Sequence, residues 1–251
     1  MKPITELKKE QVRNIRLIVF DVDGILVPRG TKIKQIGNTT TLETKIVGKE
    51  QIEQIEKLHK KGFLINISSG RGLYMLLEMF REILPFVSLT YENGSATWYR
   101  GKIHQHVNSF QRMKDVFPKL KRVVSSNIKG FEPKEFIITI HSLERVREIE
   151  EIMQGEKNLY VIWNGEAYDI GVKRDQTKAV GLRRVMKILR LEKKNVMAIG
   201  DNKNDIGLLR EAGITITADK SRVSGDFYIP LKGAFLPADR LMRQILTLYK
   251  P

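Results

Sequence analysis

Two pairs of aspartates in this sequence each follow an apolar run of strand length, a position in which carboxylates can bind a cation. Asp21 and Asp23 follow the first run, and Asp201 and Asp205 follow a later one. Paired carboxylates in an apolar setting are costly unless a cation or a strongly polar ligand compensates them, because each charge loses hydration and repels its neighbour. The alternatives are turn chemistry at Asp23, a helix cap at Asp201 and a helix-dipole contact at Asp205.

Two further segments carry residues that can bind an anion. Ser69, Gly70 and Arg71 lie between an apolar run and a helical pattern, where free backbone N–H groups can bind a phosphate oxygen. An ordinary N-cap serine is the alternative. Lys178 begins another predicted helix, although its charge is unfavourable beside the partly positive helix start. An anionic partner would explain this lysine, and a solvated side chain is the alternative.

The elements that position these residues alternate along the chain. The apolar runs lack a helical period, which is typical of buried strands in a parallel sheet. Segments with helical spacing of apolar residues, including 50–61 and 178–189, separate them. The runs assigned to strands are 15–20, 63–67, 86–89 and 196–199. Ligands bind at the carboxyl edge of an open α/β sheet, so we expect all four polar segments there.

A stretch of different character interrupts this alternation after residue 95. It combines short β-like pieces with helical patterns, which indicates an α+β insertion. Its predicted elements are strands at 96–99, 103–107 and 135–140, helices at 109–124 and 143–153, and a hairpin of 159–163 with 166–170. Residues 28–48 are interpreted as a further hairpin or flap beside the first aspartates. His141 ends a predicted strand and gathers no partners in the sequence pattern.

Composition narrows the class of protein. The 251 residues, 41% of them hydrophobic, can bury a sizeable core, and the lack of cysteine excludes disulfides and thiolate zinc sites. No apolar stretch approaches the roughly 20 residues of a membrane helix, so we expect a cytoplasmic protein. The 44 Lys and Arg against 29 Asp and Glu give a charge of +15, which attracts anions. These residues are scattered without an aromatic array, so nucleic-acid binding is not expected.

Taken together, the polar segments resemble the four ordered motifs of the haloacid dehalogenase superfamily of phosphatases. The matching residues are Asp21-Val22-Asp23-Gly24, Ser69-Gly70-Arg71, Lys178 and Gly200-Asp201-Asn202-Lys203-Asn204-Asp205. The insertion lies between the second and third motifs, as does the cap of the Cof-type, or IIB, branch. The resemblance implies a Rossmann-like α/β core at 1–95 and 172–251, with an α+β cap at 96–171 that covers the substrate.

The resemblance also implies roles for individual residues. Asp21 would attack phosphorus to form an aspartyl-phosphate, and Asp23 would protonate the leaving alcohol and then activate water. Ser69 and Lys178 would hold phosphate oxygens. The implied ligands of Mg²⁺ are Asp21, the backbone carbonyl of Asp23, Asp201 and Asp205, the last directly or through water. The residues of the same motifs that are expected to contact substrate are Gly24, Gly70, Arg71 and Asn204.

The resulting prediction is a Mg²⁺-dependent phosphatase of a small phosphorylated metabolite, such as a sugar phosphate. Ile25 stands where many relatives have threonine, and Thr217-Ala218-Asp219 lacks the Asn-Ala often found there, which weakens assignment to a named subgroup. Two alternatives remain. The first is a phosphomutase of the phosphomannomutase type, and the second is a non-catalytic anion- or RNA-binding protein on the same scaffold.

Overall fold

The computed structural model describes residues 1–30, 32–37, 39–43, 45–231 and 235–249. The strands are β1 (Lys2–Pro3), β2 (Leu17–Phe20), β3 (Ile33–Ile36), β4 (Thr39–Leu42), β5 (Leu64–Ser68), β6 (Val87–Tyr91), β7 (Ala96–Tyr99), β8 (Lys102–Gln105), β9 (Ile128–Glu132), β10 (Ile138–Ser142), β11 (Leu159–Trp163), β12 (Ala167–Val172), β13 (Val196–Gly200), β14 (Ile214–Thr217) and β15 (Phe227–Tyr228). The α-helices are α1 (Lys9–Val12), α2 (Lys49–Lys60), α3 (Leu73–Met79), α4 (Phe110–Met113), α5 (Val116–Lys121), α6 (Arg147–Gln154), α7 (Lys178–Leu189), α8 (Ile206–Arg210) and α9 (Pro237–Leu248). Short 3₁₀ helices cover Ile4–Glu6, Arg81–Phe86, Lys193–Asn195 and Lys203–Asp205.

A mostly parallel sheet forms the centre of the molecule. In the described part of the chain its strand order is β1-β15-β14-β13-β2-β5-β6-β7-β8, and only the pairs β6-β7 and β7-β8 are antiparallel. The central strand β2 lies between β13 and β5 and is buried throughout. The predicted α/β class with a mostly parallel sheet and an additional cap region is therefore confirmed.

Both faces of this sheet are covered by apolar side chains, as parallel strands require. In β2, Ile18 and Phe20 belong to one buried cluster and Leu17 and Val19 to another, because successive side chains point to opposite faces. Helices α2 and α9 contribute to the first cluster, and α7 and α8 to the second. Since neither face is open, the polar residues collect at the carboxyl edge.

The inserted segment forms a second, antiparallel sheet in the order β11-β12-β10-β9. In β10, Ile138 and Ile140 point into an apolar cluster with residues of α5 and α6. The alternate residues Thr139 and His141 lie on the opposite face, which lines a cavity against the central sheet. One face of the cap sheet therefore packs its own core, and the other faces the candidate site.

The structure differs from the sequence-based elements at three points. The helix expected at 109–124 is two short helices, α4 and α5, because Pro118 cannot donate the bond that would continue a helix through the residues before it. Strand β9 was not predicted. Strands β7 and β8 pair with the central sheet, although the sequence groups them with the insertion, and the core and cap boundaries stay a prediction.

The expected flap contains an antiparallel hairpin of β3 with β4. It contacts the cap sheet through Gln35, whose Oε1 accepts a hydrogen bond of 3.2 Å from the backbone N–H of Phe131. Three residues of this segment, at 31, 38 and 44, lie outside the described residues. Among the described residues, no helix combines the length and apolar character of a membrane span.

Candidate active site

Three of the predicted carboxylates meet at the carboxyl edge of the central sheet. One oxygen from each of Asp21, Asp201 and Asp205 lies within 4.8 Å of the other two, and all three residues are buried. Asp21 directly follows β2, and its N–H donates to Ile199 of β13 at 3.1 Å, so the sheet ladder fixes its place. Oδ2 of Asp205 accepts from the N–H groups of Asp201 (3.0 Å) and Asn202 (3.1 Å), which holds that loop.

Lys178, at the start of α7, reaches into this cluster. Its Nζ donates to Asp21 Oδ1 and to Asp205 Oδ1, both at 2.6 Å, and the residue is only 2% exposed. The solvated lysine considered from the sequence is therefore excluded. Burial alone would lower the pKa of Lys178, but the charges of Asp205 and Asp21 outweigh burial and raise it.

The carboxylates of this cluster are electrostatically unfavourable. Burial, followed by repulsion from Asp205, raises the pKa of Asp21 well above its usual value despite the contact with Lys178. The same two causes raise the pKa of Asp201 to about 6, although Arg29 opposes them. One lysine and one arginine thus compensate three carboxylates, and a divalent cation would relieve the remaining repulsion.

Asp23 lies beside this cluster, and its carboxylate has a separate partner. Nε and Nη2 of Arg71 donate to the two carboxylate oxygens of Asp23 at 2.9 and 2.7 Å. Such a two-point contact fixes the orientation of the carboxylate. The side chain of Asp23 is 34% exposed and lines the cavity, so its carboxylate is accessible to a bound molecule.

The predicted phosphate-binding loop also lines the cavity. Ser69 Oγ accepts from the backbone N–H of Arg71 at 3.1 Å, so the hydroxyl orders the turn. The N-cap of α3 is Gly72, so Ser69 is not the N-cap serine considered from the sequence. Gly70 lies close beneath neighbouring side chains, and a Cβ there would stand 3.1 Å from Asn93 Oδ1 and 3.6 Å from Asp169 Oδ2. Asn204 Oδ1 is buried and has no hydrogen-bond partner among the described residues, which suits a ligand contact.

Gly24 has a different position from the other predicted substrate contacts. It is absent from the described residues that line the cavity. Its φ is +86°, and a Cβ there would lie 2.0 Å from Oδ2 of Asp201. Glycine is therefore required because the backbone must turn closely against a cluster carboxylate. Its predicted substrate contact stays a prediction.

A cavity of about 310 Å³ separates this edge from the polar face of the cap sheet. We call the cap residues on this face the cap wall. The cap wall consists of Glu132, Lys134, Thr139, His141 and Asp169. The cavity is thus lined by carboxylates and cations from both sheets, and a small polar molecule fits such a lining.

The cap wall is a connected polar network. Glu132 Oε2 contacts His141 Nε2 at 2.9 Å and Lys134 Nζ at 3.3 Å. Lys134 also donates to Thr139 Oγ1 at 2.7 Å, and Thr139 donates to Asp169 Oδ1 at 2.6 Å. The expectation that His141 gathers no partners is wrong. The alternation of Ile138, Thr139, Ile140 and His141 was the available signal, since it places both polar residues on one face.

Arg29 is a further site residue that sequence reasoning missed. Its Nε donates to Asp201 Oδ2 at 2.8 Å, and its Nη2 lies 3.6 Å from Asp219. Lys45 Nζ donates to the carbonyl of Arg29 at 2.9 Å, so both ends of the predicted flap meet at this arginine. The sequence signal for this contact was limited to the interpretation of residues 28–48 as a flap beside the first aspartates.

The fold is an α/β sheet whose carboxyl edge carries a cluster of buried carboxylates able to bind a metal ion. A sequence model of haloacid dehalogenase-like hydrolases matches residues 18–121 and 89–222, and the chain belongs to that family. The predicted superfamily is confirmed, and with it the predicted class of enzyme, a phosphoric monoester hydrolase.

Curated relatives resemble the chain over most of its length. A phosphoglycolate phosphatase from Sulfolobus acidocaldarius is 28% identical over 225 residues, which cover 85% of this chain and 89% of that protein. A 5-amino-6-(5-phospho-D-ribitylamino)uracil phosphatase from Bacillus subtilis is 25% identical over 232 residues, covering 84% and 86% of the two chains. The relatives thus share the family and differ in the substrates after which they are named.

Solved structures share the fold. A sugar phosphatase of HAD subclass IIB superposes with a TM-score of 0.65 at 18% identity, covering 92% of this chain and 97% of its own. A protein from Thermotoga maritima superposes with a TM-score of 0.68 at 17% identity, covering 94% and 98%. At these identities the likeness establishes the fold, including the cap region.

Proposed function

We propose that the protein is a Mg²⁺-dependent phosphatase that hydrolyses a small phosphomonoester through an aspartyl-phosphate on Asp21. The observation that carries this proposal is the convergence of Asp21, Asp201, Asp205 and Lys178 on one end of a polar cavity. Membership of a family of hydrolases supports it.

The residues present fit a magnesium ion. Carboxylate and carbonyl oxygens are the ligands that Mg²⁺ prefers. Burial and then repulsion from Asp205 raise the pKa values of Asp21 and Asp201, and a cation would relieve that repulsion. We assign Asp21, Asp201 and the backbone carbonyl of Asp23 as ligands. Asp205 already accepts two backbone N–H bonds and one from Lys178, which favours contact through water. When bound, the ion would shield the anionic phosphate from the anionic nucleophile.

Asp21 acts as the nucleophile in this proposal. One of its carboxylate oxygens forms a bond to phosphorus, and the bond between phosphorus and the alcohol oxygen breaks. Lys178, which contacts Asp21 at 2.6 Å, neutralises charge on the transferring group. Ser69, Gly70, Arg71 and Asn204 are assigned to the phosphate end of the substrate.

Asp23 acts as general acid and then as general base. It donates a proton to the departing alcohol oxygen, and it later accepts a proton from the water that attacks phosphorus. That second attack releases inorganic phosphate and restores the Asp21 carboxylate. Arg71 positions Asp23 through two hydrogen bonds, so the carboxylate keeps one orientation in both steps.

The cap sheet serves as a lid in this proposal. It covers the cavity on the side opposite the carboxyl edge, and this cover would limit the access of bulk water while the first step occurs. The small cavity favours a metabolite over a macromolecule. Sugar phosphates and similar phosphomonoesters are the proposed substrates, in keeping with relatives that are named for small phosphorylated compounds.

Release of phosphate from p-nitrophenyl phosphate tests this function. The wild type should hydrolyse it with Mg²⁺ and lose activity when EDTA removes the cation. Asp21→Asn should lower kcat by at least about 10³-fold, because the amide cannot attack phosphorus. Asp115→Asn, the same change at an exposed position on the cap, is the matched control and should keep full activity. Full turnover by Asp21→Asn would refute the proposed nucleophile.

A further inference from the structure

The charge balance of the cavity bears on which alcohol the enzyme releases. Every arginine and lysine among the described residues that line the cavity already contacts a carboxylate. These ion pairs are Arg29 with Asp201, Arg71 with Asp23, Lys134 with Glu132, Lys178 with Asp21, and Arg222 with Asp219. A carboxylate on the substrate would therefore have to compete with a carboxylate of the protein for each of these cations.

The cap side of the cavity has more acidic than basic residues. Glu132, Glu166 and Asp169 line it, against Lys134 and the imidazole of His141. Burial alone would raise the pKa of Glu132, but Lys134 and His141 outweigh burial and lower this pKa to about 2. Glu132 is therefore a charged carboxylate at neutral pH. The alcohol part of a substrate would meet this acidic surface if its phosphate occupied the Asp21 end.

Asp169 has the position from which it would contact that alcohol. Its Oδ1 accepts from Thr139 at 2.6 Å, whereas its Oδ2 has no hydrogen-bond partner among the described residues. Oδ2 would stand only 3.6 Å from a Cβ at Gly70, so it lies directly over the loop assigned to phosphate. A carboxylate oxygen of this kind accepts a hydrogen bond from a hydroxyl and repels another carboxylate.

We propose that Asp169, assisted by Glu132, is a specificity-determining residue that selects phosphomonoesters of polyhydroxy alcohols and rejects alcohols that carry a carboxylate. The inference rests on the proposed function and adds the chemical class of the leaving group. It also separates this chain from relatives named for phosphoglycolate, whose leaving group is a carboxylate-bearing alcohol. Repulsion built into a site is a common source of such discrimination.

Two substrates of similar size test the proposal, glycerol 3-phosphate and 2-phosphoglycolate. The wild type should show a kcat/KM for glycerol 3-phosphate that is at least about tenfold higher than that for 2-phosphoglycolate. A difference of this magnitude is expected from repulsion between like charges in a partly solvated site. Asp169→Asn keeps an acceptor for Thr139 and removes the charge. It should reduce this ratio by about tenfold, mainly through a lower KM for 2-phosphoglycolate. Inhibition by inorganic phosphate should stay unchanged, since phosphate occupies the other end of the cavity.

Asp115→Asn is again the matched control, because it removes one carboxylate from the cap outside the cavity. A wild type that hydrolyses 2-phosphoglycolate as well as glycerol 3-phosphate would overturn the proposal, whether or not Asp169→Asn folds. An equal loss for both substrates in Asp169→Asn, or an equal change of the ratio in Asp115→Asn, would overturn it as well. Loss of all hydrolysis in the wild type, including that of p-nitrophenyl phosphate, would instead refute the proposed function.

Discussion

The two polar surfaces that face each other across the cavity are built in different ways. At the edge of the central sheet, Asp21 and Asp201 follow adjacent parallel strands, and Lys178 lies at a helix start. The cap wall places polar side chains at alternate positions of antiparallel strands, as with Thr139 and His141 in β10. The positions of the side chains on the first surface are determined by where strands end and a helix begins. On the second surface they are determined by the register of the strands.

This difference separates the surface to which we assign the reaction from a surface whose residues can vary. Residues at strand ends depend on a sheet buried on both faces, so the geometry of Asp21 and Asp201 is fixed by the core. Residues on the open face of the cap sheet can change without repacking Ile138 or Ile140 on the other face. We therefore expect substitutions at the central edge to cause the largest losses of stability. Substitutions in the cap wall should cause smaller losses and should alter substrate specificity.

The largest expected effect on stability is that of Lys178→Met. This change leaves Asp21 and Asp205 buried without their shared cation, and we expect unfolding to become easier by about 3 to 5 kcal/mol. Urea unfolding measures it, and added Mg²⁺ should recover part of the loss. Lys187→Met, on an exposed position of the same helix, is the control. Equal unfolding midpoints for the two variants would contradict the proposed central role of the buried lysine.

A smaller, pH-dependent effect is expected in the cap wall. Burial alone would raise the pKa of Glu132, but Lys134 and His141 outweigh it and lower the pKa from 4.5 to about 2. The unfolded state then binds more protons between these values, so the stabilisation is present above about pH 4.5 and is lost as the pH falls toward about 2. It amounts to about 3 kcal/mol at most.

Glu132→Gln measures this contribution. The difference in urea midpoint between wild type and variant should be largest at neutral pH and should shrink steadily below pH 4.5. Glu148→Gln, an exposed change on α6, should show no such trend. If the difference in urea midpoint stayed constant from pH 7 to pH 3, the contacts of the Glu132 carboxylate with Lys134 and His141 would not stabilise the fold.

The smallest effect is expected where the two regions join. The carboxylate of Glu92, which follows β6, accepts from the N–H groups of Glu135 (3.0 Å), Phe136 (2.6 Å) and Ile137 (3.1 Å) of the cap. Glu92→Gln places amide protons against these donors and should cost about 1 to 3 kcal/mol. Hydrogen exchange should quicken at residues 135–137. Glu82→Gln, a change at an exposed position, is the control. If residues 135–137 exchanged as slowly in Glu92→Gln as in this control, the Glu92 carboxylate would not stabilise the attachment of the cap.

The sequence predicted the central edge better than the cap, for a physical reason. Asp21, Asp201 and Lys178 lie beside long apolar patterns, so their neighbours in sequence reveal their place in the fold. Arg29 and Asp169 meet their partners only through distant strands and loops, which no local pattern encodes. Strand β9 was missed because its sequence, Ile-Lys-Gly-Phe-Glu, has few apolar residues, and its pairing with β10 depends on the whole cap.

The most direct test of the central claim is a crystal structure with Mg²⁺ and beryllium fluoride, a mimic of a phosphoryl group. We expect the fluoride complex on the carboxylate of Asp21, with the cation contacted by Asp21 and Asp201. A cation bound elsewhere, or a fluoride complex that leaves Asp21 unmodified, would contradict the proposed mechanism.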